Sequence, residues 1–181
     1  MKRAIVAVVV AVSALMSVTS CGYALAGKGN SLPAYIKVIA VPQFTNQSRT
    51  PDLDIIFTDA VRQEFQSRGK FRIVTETGGQ DQVDAVLTVT LQPLILVPID
   101  LTGGVASKYT VTMSANVTFT DEHEKKPFWA NPAFRQLDDY VIQNATTAPD
   151  PSALFTADRD ALLRLSRNFA RSLVTSILEA F

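Results

Sequence analysis

Period two dominates the middle of the chain. Tyr109, Val111, Met113, Ala115, Val117 and Phe119 alternate without a break with Lys108, Thr110, Thr112, Ser114, Asn116, Thr118 and Thr120. That pattern predicts a long antiparallel strand with one face in a core and the other turned to water or to a partner. Val83, Ala85, Leu87, Val89 and Leu91 alternate in the same way with Asp84, Thr88, Thr90 and Gln92, with Val86 the exception. Pro93 then predicts a bulge or an edge in that strand, and Leu94 to Val97 is apolar on both faces. A turn at Asp100-Leu101-Thr102-Gly103-Gly104 separates the two alternating runs.

Shorter runs flank them. Tyr35 to Val41 is aromatic and β-branched and stops at Pro42, which predicts a first strand buried on both faces. Phe71 to Val74 is a short strand followed by a turn at Thr77-Gly78-Gly79-Gln80. After the charged turn Asp121 to Lys126, a last strand falls within Phe128 to Ile142, irregular at Asn131-Pro132.

Two segments change period to three and four. Leu53, Ile56, Phe57, Ala60, Val61 and Phe65 form one apolar stripe, with Thr50 as a cap, Pro51 at the first helical position, Asp52 and Asp54 at the positive end, and Gly69 as the stop. Leu162, Leu165, Phe169, Leu173, Ile177 and Phe181, widened by Val174 and Leu178, form a second stripe, with Arg159, Arg164, Arg167, Asn168 and Arg171 off it. The order β-α-β-β-β-β-α predicts a two-layer α/β (α+β) sandwich. Both helices pack on one face of a mixed, largely antiparallel sheet.

The N-terminus follows other rules. Lys2 and Arg3 precede an apolar run from Ala4 to Val18 broken only by Ser13 and Ser17. It is shorter than the ~20 residues of a membrane-spanning helix and reads as a signal peptide. Val18-Thr19-Ser20-Cys21 then resembles a bacterial lipobox, in which the cysteine sulfur is acylated and the chain is cut before it. Cys21 is the single cysteine, so no disulfide partner exists within the chain, and lipidation removes a reactive thiol. The alternative is an ordinary signal peptide beside a stray cysteine. Gly22 stands where an aspartate would retain the protein in the inner membrane, which favours the outer membrane. The division is therefore a signal peptide at 1–20, a lipidated N-terminus and flexible tether at 21–34, and one domain at 35–181.

Charge and chemistry narrow the function. Loss of Lys2 and Arg3 takes the formal charge from 17 − 17 = 0 to 15 − 17 = −2, so no basic excess exists to bind nucleic acid. One histidine and one lipidated cysteine cannot build a Cys/His metal site or a Cys-His pair. There is no nucleophile elbow, P-loop or dinucleotide fingerprint, and the sequence predicts no catalytic residue, metal or cofactor. His123 lies in a solvated turn. Asp138 and Asp139 point to opposite strand faces, and Asp158/Asp160 sit near a helix start where acids are expected.

One surface stands out. The face carrying Thr110, Thr112, Ser114, Asn116 and Thr118 is rich in threonine and poor in charge. It reads either as ordinary exposed strand or as a sheet face packed against another polar protein wall.

The order of these features resembles the lipopolysaccharide-assembly lipoprotein family LptE. The resembling residues are Cys21-Gly22-Tyr23 with Leu25, Leu32-Pro33, Ile36 to Val41 followed by Pro42, Phe44 and Asn46, then Leu53, Thr58-Asp59-Ala60, Phe65, Phe71 to Val74 and Asp84 to Leu87. Tyr109 to Val117 resembles the family's long strand, Trp129 and Tyr140 fall near aromatics of its last strand, and Ile177 to Phe181 closes the last helix. The resemblance implies a non-enzymatic protein that plugs the β-barrel LptD, assists its assembly and helps deliver lipopolysaccharide to the cell surface. It also implies that the threonine-rich face meets a barrel wall. Some family members are thought to contact lipopolysaccharide through basic side chains near the turn between the long strands. That turn has no basic residue here, and Lys108 is the nearest. The alternative function is a stand-alone, periplasm-facing lipoprotein that binds a lipid or glycan.

Overall fold

A computed structural model describes residues 32–76, 82–102, 105–141 and 159–180. Cys21, the signal peptide, most of the tether, the Thr77 to Gln80 turn, Gly103-Gly104, Asp158 and Phe181 lie outside the described residues. Along the described chain come β1 (Val38–Ala40), β2 (Thr45–Asn46), α1 (Leu53–Ser67), β3 (Arg72–Val74), β4 (Ala85–Leu91), β5 (Ile95–Thr102), β6 (Val105–Asp121), β7 (Lys126–Val141) and α2 (Arg159–Leu178).

The strands join in one seven-stranded sheet. Parallel pairs link β1 to β3 and β1 and β2 to β4, while β4, β5 and β7 all run antiparallel to β6. Both described helices pack on one face, and the expected two-layer α+β architecture holds. Its core joins Phe57, Val61 and Phe65 of α1, Leu165, Phe169 and Leu173 of α2, and Val111 to Phe119 at alternate positions of β6. At its centre Phe169 meets Phe57 edge-on at 5.1 Å and Phe134 at 5.3 Å, the offset geometry that aromatic quadrupoles favour.

The strand expected to have a bulge or an edge at Pro93 is two strands in line. β4 and β5 lie along the same edge of β6: Leu91 pairs with Ala115 and Ile95 with Thr112. Between those pairs one side advances four residues and the other three, which is the one-residue excess of a bulge. Gln92 still donates its backbone N–H to Ser114 at 2.8 Å; the ladder breaks where Pro93 supplies no donor. The turn beyond is tighter than its sequence suggested, since Asp100, Leu101 and Thr102 remain in β5 and Thr102 pairs with Val105.

Helix α1 departs from the expected cap. It begins at Leu53, with Asp52 at the cap position in the left-handed region (φ 60°) and no side-chain cap bond. Thr50 is instead buried in a turn organised by Asn46, whose side chain accepts from the Ser48 N–H at 2.9 Å and donates to the Thr50 carbonyl at 2.9 Å. An Asx turn has taken over the job of aiming the chain into the helix. The same stretch forms the unexpected two-residue strand β2. Pro42 interrupts the ladder between β1 and β2, and α1 supplies partners there. Thr58 accepts the Phe44 N–H at 3.0 Å, and Arg62 donates from Nε and a terminal nitrogen to the Val41 carbonyl at 3.0 and 2.8 Å. Gly69 ends the helix with φ 69°, as expected.

Candidate functional site

The face of the sheet away from the helices is open. Lys108, Thr110, Thr112, Ser114, Asn116 and Thr118 all project from it, since every odd residue of β6 from Tyr109 to Phe119 is buried. The pleat makes this unavoidable. The predicted row is therefore real as a surface, and register extends it across three strands. Thr118 pairs with Thr88, and Asn116 with Thr90. Thr112 lies between Ile95 and Leu137, and Thr110 between Val97 and Asp139.

That second half of the face is where sequence reasoning fell short. Ile95 is 55% exposed, Val97 49%, Ile99 49%, Leu137 57% and Val141 60%, and these are five of the seven exposed large apolar residues among those described. They flank the threonines at the hairpin end of the sheet, giving a face of aliphatic borders around a polar, almost uncharged centre. The signal was present in Leu94 to Val97: a run apolar on both faces, placed at a sheet edge, must expose one of them.

Lys108 sits on this face, held by Asp139 at 2.7 Å. The Lys108 ammonium holds the Asp139 carboxyl below its usual range, with Thr110 Oγ1 a further donor at 3.4 Å. Arg135, paired with Ser114, adds a second cation that the sequence reading did not single out. Asp138 turns the other way, as expected, and accepts from Asn168 of α2 at 3.0 Å. Between Asp138 and the start of α2 lies a shallow indentation lined by Val111, Tyr140, Arg164 and Leu165.

The opposite end of the sheet is polar and closed. Asp84 accepts the backbone N–H groups of Val38 at 2.8 Å and Lys37 at 2.9 Å, and contacts His123 Nε2 at 3.1 Å. Buried Asp121 accepts the Tyr35 hydroxyl at 2.5 Å and the His123 N–H at 2.7 Å. Tyr35 and His123 also stack edge-on at 5.3 Å. Burial pushes both carboxyls up, but these donors outweigh it and hold each below its usual value. The bond to Asp121 raises the Tyr35 hydroxyl to about 12. His123 is thus more than a solvated turn residue: it closes a clasp over the chain entering β1.

No group of three or more potential metal-ligating side chains gathers among the described residues. No helix among them is long and apolar enough to cross a membrane. The fold and the open face together define an α+β domain with one face committed to its own core and one left for contact.

The family model described as LptE, lipopolysaccharide-assembly, matches residues 36–177, and the chain belongs to that family. No curated protein matches the chain. Among solved structures, PelC from Paraburkholderia phytofirmans, crystallised as a dodecamer, aligns at TM-score 0.51 and 12% identity over 82% of this chain and 93% of its own, a likeness of fold alone. The rare lipoprotein B from Shewanella oneidensis aligns at TM-score 0.43 and 14% identity, covering 80% and 98%. A protein from Xanthomonas campestris, XCC0632, aligns at TM-score 0.43 and 15% identity, covering 82% and 90%.

Proposed function

We propose that this chain is a non-enzymatic outer-membrane lipoprotein that plugs an LptD-like β-barrel and assists its assembly for lipopolysaccharide transport. Residues 1–20 are then a cleaved signal peptide, Cys21 carries the acyl chains, 21–34 form the tether and 35–181 the working domain. Family membership over residues 36–177 supports the transport role. The single observation that carries the partner role is the open face. Thr110, Thr112, Ser114, Asn116 and Thr118 offer short hydroxyl and amide groups suited to a polar barrel interior, and the aliphatic borders exclude water around them.

Affinity purification of the full-length protein from solubilised membranes tests this directly. A large β-barrel protein should be recovered in stoichiometric amount, and its absence would sink the reading. Intact-mass analysis tests the anchor, where Cys21→Ala should remove the lipid adduct and lipoprotein-type cleavage. Lipopolysaccharide contact is the weaker part of the proposal, because Lys108 already spends its charge on Asp139. The stand-alone lipid or glycan binder requires a cleft, and the indentation beside α2 is too shallow to be one.

A further inference from the structure

The cations of this protein are unevenly committed. Arg62 and Arg68 of α1, Lys108 of β6, and Lys125 and Lys126 around the β6–β7 turn each pair with a carboxylate. The arginines of α2 do not. Arg159, Arg164, Arg167 and Arg171 are exposed, and none of their side chains has an ion-pair or hydrogen-bond partner among the described residues. Arg164, Arg167 and Arg171 recur at three and four residues, so they stand in one row on the outer side of the helix, opposite the buried Leu165, Phe169 and Leu173. Of the carboxylates beside Arg164, Asp138 accepts from Asn168 and Asp139 is held by Lys108. Asp160, one turn before Arg164, is the single acid of the helix. Four arginines against Asp160 give α2 a charge of +3, and the −2 of the chain from Cys21 onward leaves −5 for the rest.

We infer that the arginine row of α2 docks on an anionic phospholipid surface while the protein is without its barrel partner. The inference rests on the lipid anchor proposed above, which holds the domain beside a bilayer. The guanidinium fork matches the oxygens of a phosphate diester, and unpaired arginines reach headgroups without breaking an ion pair of their own. A protein partner would need apolar or aromatic anchors at the centre of its interface, and none of the exposed large apolar residues lies on α2. The apolar stripe of α2 is buried in the core, so the helix cannot sink into the acyl layer as an interfacial helix does. Contact stays at headgroup depth and is electrostatic. The charge imbalance turns the positive side toward the membrane and the negative remainder away from it. Because both helices lie on one face of the sheet, this pose points the open threonine face away from the bilayer, free for a barrel.

The test uses the acylated protein reconstituted without a barrel in vesicles of phosphatidylcholine, with or without phosphatidylglycerol. With Cys21 acylated, an engineered cysteine is the only free thiol. It takes a donor fluorophore at Ser172→Cys, beside the row, or at Ser114→Cys, on the open face; a headgroup-labelled lipid is the acceptor. Docking predicts strong transfer from position 172 and weak transfer from position 114 in the anionic vesicles. Transfer from position 172 should fall to the level of position 114 in phosphatidylcholine alone, and in about 1 M salt, where the screening length is about 3 Å. Each arginine near an anionic surface shifts the docking equilibrium roughly fivefold. Arg164→Gln, Arg167→Gln and Arg171→Gln together should therefore weaken it roughly a hundredfold, and the matching lysine triple should keep most of it. Equal transfer in the two kinds of vesicle, or undiminished transfer from the glutamine variant, would overturn the inference. Equal transfer together with lost barrel recovery in the glutamine variant assigns the arginines to the protein partner instead. A protein that floats with neither vesicle removes the lipid anchor and this inference with it. One that floats without a difference between positions 172 and 114 removes the docking alone.

Discussion

The two faces of β6 share one backbone and do opposite work. On the helix side Met113, Ala115, Val117 and Phe119 have no exposed surface, and the helices fit them closely. On the other side every residue from Thr110 to Thr118 at alternate positions is small and polar, and its neighbours at the hairpin end are exposed aliphatics. Folding alone explains the first face. It does not call for Ile95, Val97, Leu137 and Val141 in water, and exposed apolar clusters of this kind mark interaction surfaces. Stability and function are thus separated by one residue of phase.

That separation can be broken in order of expected effect. Phe169→Ala, at the junction of α1, α2 and β7, should cost about 3–5 kcal/mol through lost packing and the cavity left behind; chemical denaturation measures it, and a near-neutral result would mean that α2 is not docked as described. Thr58→Val strands the buried Phe44 N–H that its hydroxyl now accepts, and should cost about 1–3 kcal/mol by the same measurement.

Acid should act at the clasp. The Asp84 and Asp121 carboxyls are depressed in the folded state, so the stability they add is complete above their unfolded value near 3.9 and is lost as pH falls through the lower folded values. Melting curves of the wild type should therefore decline below about pH 4, and those of an Asp84→Asn, Asp121→Asn double variant should decline less steeply. Parallel declines would show that the clasp does not titrate as a unit. The smallest stability effect belongs to the open face. Leu137→Lys should stay within about 0.5 kcal/mol of wild type, yet reduce the barrel recovered on purification. A large loss of stability would show that this face is part of the core after all.

Alternation made the layers legible. The odd residues of β6, the described stripes of both helices up to Leu178 and the Gly69 stop all follow from local period and chirality, and each stands where the pattern put it. What was not legible depends on partners distant in sequence. Tyr35 finds Asp121 across 86 positions, and Asp84 finds Lys37 across 47; no window of neighbours contains such a pair. Thr50 failed as a cap because Asn46 and Ser48 offered it a competing turn. Pro93 predicts a bulge or an edge, and both are found: the register shifts by one residue beside it, and β5 beyond it is a terminal strand of the sheet among the described residues. What the local sequence did not reveal is that β6 is long enough to hold both pieces in line. The exposed aliphatics followed from that topology and not from composition.

The clasp has a further consequence for reach. It fixes the point where the chain enters the domain at the Asp121 end of β6, while the aliphatic-bordered hairpin lies at the Val105 end of the same 17-residue strand, ~50 Å away at ~3.3 Å per residue. The 13 residues from Gly22 to Ala34 can span at most ~45 Å when drawn straight. On the proposed anchoring of Cys21 in a membrane, β6 would act as a boom extending from its polar end. It would carry the open face to a distance that residues 22–34 alone could not cover, with Tyr35, His123 and the two aspartates at its near end.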